Sequence, residues 1–367
     1  MNRFVRCLLL FGGLIGNVCA ELPDPSAASA ENAPSPFQPG SISPEIVVPG
    51  KVPWSYHVYL PKEYSPDRKW PVLFILSPTG GNDQTLARYL DGAEMNNWIL
   101  AVSVQSKNNF PQSQDAVRAM VGDVFRTLPV DPKRMYASGF SGGARMAFWL
   151  AEELKSRGFA GVLACGAGGT PAKMSAQTVV FGLCGSNCFN RWEMASTFKD
   201  LKNADSRLRF FPGNHDWALA PLLAYGMSWL NGCYLKSSAA TPELAAEKQR
   251  FIAQTQDRIQ VARRADPEMA YDWALCQSLA LTPPSVASSP AIQELLNHPK
   301  VPFYVQGLKE LDQFVMKHFA IRGPDTQNDK KAEAAKKDAL ALAEKYKDSR
   351  LAGLFARLGA PAVAPSR

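Results

Sequence analysis

A serine between glycines is the first group in this chain that could perform covalent catalysis. Ser141 lies at the centre of the run Gly139–Gly143, which matches the pattern G-x-S-x-G. Such a turn lifts the serine oxygen above the end of a strand, and the N-terminus of the following helix stabilises the negative charge that develops on attack. The pattern therefore predicts a nucleophile for acyl transfer, provided that a strand precedes it and a helix follows.

A serine nucleophile needs a general base, and the chain contains four histidines. His57 falls in a predicted strand ahead of the first core strand, and His298 and His318 fall in a late helical region. His215 lies in a loop between a predicted strand and a predicted helix, and it follows Ser141 in the chain as the base follows the nucleophile in this kind of site. We therefore predict that His215 is the general base.

The negative charge of the reaction intermediate requires backbone N–H donors. Gly142 directly follows the nucleophile and is expected to supply one of them. A glycine-containing loop, 77–82, follows an early apolar strand and is expected to supply the other. Pro78 has no amide hydrogen, so the second donor is expected to be Thr79 or Gly80.

Predicted strands and helices alternate along the chain up to about residue 236. The predicted strands cover 55–60, 72–76, 98–104, 134–137, 161–165, 178–183 and 207–211. The predicted helices cover 115–128, 144–154, 191–201 and 218–230. This alternation is typical of a mostly parallel sheet covered on both faces. Ser141 follows a strand and opens a helix, so the sequence predicts the α/β-hydrolase fold.

The ends of the chain differ in composition from its centre. Residues 1–20 combine a basic start, an apolar run and small residues before Ala20, which predicts a cleaved signal peptide and a secreted or periplasmic protein. Residues 21–49 are rich in Pro, Ala and Ser, which predicts a flexible leader. Residues 50–236 are predicted to form the hydrolase domain. Residues 237–367 predict an all-helical appendage that could be a lid, a dimer contact or a tether. No later segment is apolar over the length of a membrane span.

Cysteine and charge patterns exclude several classes of protein. We expect no metal and no cofactor, because no cysteine and histidine group has the spacing of zinc ligands. The net charge of +7 comes largely from a late lysine-rich run without aromatic residues, so no nucleic-acid partner is expected. In an oxidising compartment, Cys184 and Cys188 are close enough in sequence to form a disulfide, and Cys233 could reach Cys276.

The segment around the serine resembles a known family. The run 131–136, leading into 139–147, looks like that of the secreted polyhydroxybutyrate-depolymerase and feruloyl-esterase group of α/β-hydrolases, and the resemblance extends over about 55–229. It implies hydrolysis of carboxylic esters, either small molecules or polymers. The group often has a tryptophan two residues after the histidine, as in His215 and Trp217.

The chain departs from that family at two places. Ser77 and Pro78 stand where relatives usually have His-Gly. The family also places an aspartate after the strand predicted at 178–183, whereas the loop 184–191 of this chain contains no carboxylate. Aligned on the family pattern G-x-x-D-F-N, Cys188 occupies the position of the acid.

The missing acid leaves several interpretations open, because the third member of a catalytic triad orients the histidine and stabilises its charged form. Asn187 could orient His215 weakly, or Glu193 could reach in from the next helix, whereas the adjacent Asp216 is poorly placed to do so. A disulfide at Cys188 would remove the acid position altogether. The predicted function is therefore an exported serine carboxylesterase; the alternatives are a catalytically impaired binding protein of the same fold and a serine peptidase.

Overall fold

The structure is a computed structural model that describes residues 37–239, 241–281, 289–320 and 329–362. The predicted signal peptide and most of the predicted leader lie outside the described residues. Within these residues, one eight-stranded sheet forms the centre of the molecule. Its strands are β1 (Ile46–Val47), β2 (Ser55–Tyr59), β3 (Trp70–Leu76), β4 (Ile99–Ser103), β5 (Val130–Phe140), β6 (Gly161–Cys165), β7 (Val179–Gly185) and β8 (Arg207–Phe211).

The strand order is β1-β2-β4-β3-β5-β6-β7-β8. The β1–β2 and β2–β4 pairs are antiparallel, and the pairs from β4 to β8 are parallel. Every residue of β3, β4, β6 and β7 is buried, as expected for strands covered on both faces. This mostly parallel sheet with an antiparallel beginning confirms the predicted α/β-hydrolase fold.

Six helices alternate with the strands and cover the sheet. They are α1 (Asp83–Ala87), α2 (Leu90–Asn96), α3 (Ser113–Thr127), α4 (Gly142–Glu153), α5 (Arg191–Asp200) and α6 (Ala220–Ser237). Helix α3 shows why these segments fold as they do, because Val117, Met120 and Val124 recur at helical spacing and are fully buried, whereas Arg118 between them faces solvent.

After α6, only helices occur within the described residues, as the sequence predicted. They are α7 (Pro242–Ala265), α8 (Pro267–Ser278), α9 (Pro290–Leu296), α10 (Lys300–His318), α11 (Asp329–Lys345) and α12 (Leu351–Leu358). Arg209 of β8 pairs with Asp272 of α8 at 3.3 Å, and the rings of Phe210 and Phe319 lie 6.5 Å apart. Helix α8 and the end of α10 thus pack on the β8 side of the sheet. No described helix has the length and apolar character needed to span a membrane.

Candidate active site

The backbone at Ser141 forms a sharp turn between β5 and α4. Ser141 has φ 53° and ψ −119°, and its N–H donates a hydrogen bond of 2.9 Å to the carbonyl of Cys165 at the end of β6. A Cβ at Gly139 would come within 2.4 Å of the backbone of Gly143, and one at Gly143 within 2.1 Å of the Leu76 carbonyl oxygen. The glycines therefore allow α4 to approach the sheet closely, and this places the serine at the carboxyl ends of the strands.

His215 lies within hydrogen-bond distance of the serine. Its Nε2 atom is 2.9 Å from Ser141 Oγ. The half-buried imidazole ring lies between two aromatic rings, with centroid distances of 4.7 Å to Phe140 and 4.0 Å to Phe189. These contacts fix the plane of the ring. The other three histidines are elsewhere: His57 is in β2, and His298 and His318 are in the helical region.

The second imidazole nitrogen faces a cysteine where the fold usually has a carboxylate. His215 Nδ1 lies 3.0 Å from the Sγ atom of Cys188, which is fully buried. If Nε2 accepts the hydrogen bond from the Ser141 hydroxyl, Nδ1 carries the proton and donates it to the sulfur. The backbone N–H of Asn190 donates to the same sulfur at 3.4 Å. Ser141, His215 and Cys188 therefore form one hydrogen-bonded series.

The surroundings of Cys188 favour its thiolate. A hydrogen bond from the Cys184 thiol, together with those from His215 and Asn190 and the charge of His215, outweighs the effect of burial and lowers the pKa of Cys188 to about 5. Burial raises the pKa of Cys184, so that group stays protonated and can donate. These surroundings therefore stabilise the thiolate of Cys188 over its thiol.

Neither the Cys184–Cys188 nor the Cys233–Cys276 disulfide is formed in this structure. All five cysteines of the described residues are free and buried. The Sγ atom of Cys184, at the end of β7, lies 3.5 Å from the Gly185 carbonyl oxygen, whereas Cys188 is directed towards His215. Cys233 and Cys276 lie on different helices, α6 and α8, and are likewise unbonded. The spacing of cysteines in a sequence suggests which of them could pair, but it does not determine where their sulfur atoms point.

The structure does not bring the other candidates for the third position to His215. The backbone N–H of Asn187 donates to the Gly213 carbonyl at 2.9 Å, and its buried Oδ1 accepts no hydrogen bond from the described part of the chain. Glu193 accepts two hydrogen bonds from Arg145, at 2.9 and 2.5 Å. Asp216 is exposed. Cys188 is therefore the candidate that contacts the histidine.

Asn190 is a residue of the site that the sequence interpretation did not single out. Its side-chain amide donates to the Gly166 carbonyl at 2.9 Å, and this bond holds the Cys188 loop against the end of β6. Gly166 has φ 65°, and its missing Cβ would lie 3.4 Å from the His215 ring. The final Asn of the pattern G-x-x-D-F-N aligns with Asn190 and was the signal that could have identified it.

Two backbone amides border the serine as a candidate oxyanion hole. Gly142 is the first residue of α4, so its N–H has no carbonyl partner within the helix. The N–H of Thr79 lies 3.3 Å from Ser77 Oγ, a hydroxyl that can rotate away, whereas the N–H of Gly80 is directed at the fixed Ser77 carbonyl at 3.5 Å. Thr79 is therefore the better placed of the two predicted donors.

The loop that carries Thr79 is held in place by its neighbour. Thr79 pairs with Lys107 through an isolated β-bridge, and the Asn108 N–H donates to the Pro78 carbonyl at 2.9 Å. A Cβ at Gly142 would come within 1.8 Å of Asn108 Oδ1. Glycine at position 142 thus leaves room for the side-chain amide of Asn108 beside it.

The described residues contain no group of three or more metal-ligating side chains close enough to hold an ion. A cavity of about 850 Å³ lies at the opposite, amino ends of the strands. Its lining includes Arg134 and Glu247, which pair at 2.5 and 2.6 Å, and Arg250. This cavity is thus separate from the series Ser141, His215 and Cys188.

Comparison with known proteins gives matches in structure only. No protein-family model matches the chain, and no curated protein matches it in sequence. S-formylglutathione hydrolase (FrmB) from Staphylococcus aureus is 13% identical, with a TM-score of 0.41, over 53% of this chain and 98% of its own. Est1E from Butyrivibrio proteoclasticus is 12% identical, with a TM-score of 0.40, over 50% and 96%. EstE1, a carboxylesterase cloned from a metagenomic library, is 13% identical, with a TM-score of 0.42, over 53% and 90%.

Proposed function

We propose that this protein is a serine hydrolase of carboxylic esters, with Ser141 as nucleophile, His215 as general base and the Cys188 thiolate in place of the usual carboxylate. One observation carries the proposal: His215 lies 2.9 Å from Ser141 Oγ through one ring nitrogen and 3.0 Å from Cys188 Sγ through the other. This is the arrangement of a Ser-His-acid triad, with sulfur in the position of the acid.

The chemistry follows from the hydrogen bonds. Ser141 Oγ attacks the ester carbonyl carbon while its proton passes to His215 Nε2. The N–H groups of Gly142 and Thr79 stabilise the resulting oxyanion. The alcohol leaves with the proton from Nε2, and a water molecule, deprotonated by the same nitrogen, then releases the acid and regenerates the serine.

Cys188 contributes through the charge of His215. When the imidazole takes the serine proton it becomes a cation, and a thiolate at Nδ1 stabilises that cation as a carboxylate does in the usual triad. The donors around the sulfur come from Asn190 and Cys184, and they keep the thiolate in place.

Esters fit this site better than peptides. Expulsion of an amine from a peptide requires its protonation by His215, whereas the alkoxide or phenolate of an ester is a better leaving group and depends less on that proton. A thiolate, which spreads its charge over a larger atom than oxygen, provides a weaker orienting partner. The proposed substrates are therefore esters, and peptidase activity is not proposed.

We also propose that the protein acts outside the cytoplasm, as a secreted or periplasmic enzyme cleaved after Ala20. The support is the basic start, apolar run and small residues of positions 1–20. The thiolate required at Cys188 is buried, and burial restricts the access of oxidants.

The test is hydrolysis of p-nitrophenyl acetate and butyrate by the mature protein beside Ser141→Ala. We expect turnover that is lost in Ser141→Ala, and labelling of the wild type, but not of Ser141→Ala, by a fluorophosphonate. Neither turnover nor labelling above the Ser141→Ala background would reject the enzyme and favour a binding protein of this fold.

A further inference from the structure

The Cys188 loop is held on two sides. On the side of the sheet, the N–H groups of Ser186 and Asn187 donate to the carbonyls of Phe211 and Gly213, both at 2.9 Å. On the opposite side, the carbonyl of Ser186 accepts a hydrogen bond of 2.9 Å from Arg191 Nη1. Ser186 lies two residues before Cys188, so a shift of its peptide would move the sulfur relative to His215.

Arg191 connects this loop to the end of the chain. Its Nη1 also donates to the Leu358 carbonyl at 3.3 Å, and its Nη2 donates to the Ala360 carbonyl at 3.0 Å. The guanidinium lies 4.6 Å from the centroid of the Phe319 ring. One side chain thus joins the loop to segments more than 100 residues later in the chain.

The hydrogen bonds of Arg191 match its donors to carbonyls that lack partners within α12. Leu358 is the last residue of α12, whose final carbonyls have no partners within the helix and carry partial negative charge. A guanidinium presents several donors in a fixed plane, so it can bind carbonyls of two segments at once. A lysine at this position would keep the charge but lose the planar arrangement.

Helix α12 is itself anchored to the sheet. Arg350, just before α12, pairs with Asp272. Its Nη2 also donates to the Tyr304 hydroxyl at 2.8 Å, and its backbone N–H donates to Glu268 at 3.1 Å, so these contacts restrict its movement. Asp272 in turn pairs with Arg209 of β8. The acceptors of Arg191 are therefore fixed relative to the strand that leads to His215.

We infer that Arg191 is a positioning residue through which the C-terminal helices hold the Cys188 loop in register with His215. The inference rests on the proposed function and assigns the helical region a part in the catalytic apparatus. It is distinct from a lid, since the contact is a hydrogen bond to a backbone carbonyl of the Cys188 loop, and it needs neither a dimer nor the cell envelope.

The test compares Arg191→Met with Arg191→Lys and with Arg207→Met as matched control. Arg207 also donates to two backbone carbonyls, those of Ala204 and Ser206, and also lies over an aromatic ring, that of Trp229, but it does not contact the loop. The first measurement is kcat and KM for p-nitrophenyl butyrate. The second is the ultraviolet titration of the Cys188 thiolate, obtained by subtracting the spectrum of the Cys188→Ala variant in each background.

In Arg191→Met we expect kcat to fall on the order of ten-fold or more with little change in KM, because a small displacement of a catalytic group is costly. We expect the thiolate titration to move to higher pH as the contact with His215 loosens. Arg191→Lys should lie between Arg191→Met and the wild type, and Arg207→Met should match the wild type in both measurements.

The inference is overturned if Arg191→Met matches Arg207→Met in both kcat and the thiolate titration. If Arg191→Met does not fold, Arg191→Lys decides, and wild-type values in both measurements would overturn the inference. The titration needs no turnover. An inactive wild type would therefore reject the proposed function while the position of the loop could still be measured.

Discussion

The two ends of the sheet both gather polar side chains, but they arrange them differently. At the amino ends, Arg134 of β5 is almost fully buried and is bound by Glu247 and Asn231, beside a cavity of about 850 Å³. At the carboxyl ends, Ser141, His215 and Cys188 lie in series.

The difference lies in what each hydrogen bond can do. Arg134 and Glu247 form an ion pair, and their contact holds α7 to the sheet. The imidazole of His215 is placed to take the proton of Ser141 and return it, and each of its neighbours has a role in one of these two steps. The cavity therefore lies at one end of the sheet, whereas the side chains arranged for proton transfer lie at the other.

The sharpest test of the carboxyl end is Cys188 itself. We expect Cys188→Ala to lower kcat for p-nitrophenyl butyrate by about 10³- to 10⁴-fold, the cost of removing a triad's third member. Cys188→Asp, which restores the usual carboxylate, should retain far more activity, and the neutral Cys188→Ser should lie between them. Activity of Cys188→Ala equal to that of the wild type would show that the sulfur has no catalytic role.

The corresponding test of the amino end is Glu247→Gln. Removing one partner of the Arg134 pair leaves a nearly buried guanidinium poorly compensated, so we expect the free energy of unfolding to fall by about 3 kcal/mol. Urea denaturation measures this. Glu243→Gln, at an exposed position of the same helix, is the control and should change little. A large loss of kcat per folded molecule in Glu247→Gln would contradict a purely structural role for the amino ends of the strands.

A pH series distinguishes the two ends further. The pKa of Cys188 is lowered from an ordinary value of 9.0 to about 5. Between these values the unfolded thiol binds a proton that the folded one does not, so stabilisation by the thiolate is complete above about pH 9 and is lost as the pH falls to about 5. We expect the free energy of unfolding of the wild type, relative to Cys188→Ala, to rise with pH across this range. A flat difference would contradict a folded-state thiolate.

The smallest effects are expected at the residues that flank Cys188 without contacting His215. The Arg145–Glu193 pair is largely solvent-exposed on the arginine side, so Glu193→Gln should change kcat by no more than about twofold. Asn187→Ala should behave similarly. A tenfold loss in either variant would restore that residue as a candidate for the third position.

The sequence predicted the fold because the alternation of apolar strands and helices extends over more than 150 residues, and the elbow around Ser141 has a distinctive composition. It did not decide the third member, because a short loop such as 186–190 does not reveal which side chain faces the histidine. It misjudged Cys184 and Cys188 for the same reason. The contact of Arg191 with Leu358 and Ala360 had no local signal at all, since the partners are 167 and 169 residues away.

The backbone conformation of Ser141 bears on which residue selection would keep at this position. Its φ of 53° and ψ of −119° lie in a region that costs a residue other than glycine about 1–3 kcal/mol. Glycine would relieve that strain, and the gain exceeds the roughly 0.4–1 kcal/mol that glycine costs through the unfolded chain. In a chain without catalytic activity, selection for stability would therefore favour glycine at this turn. The serine that stands there is a residue that selection for stability alone would remove.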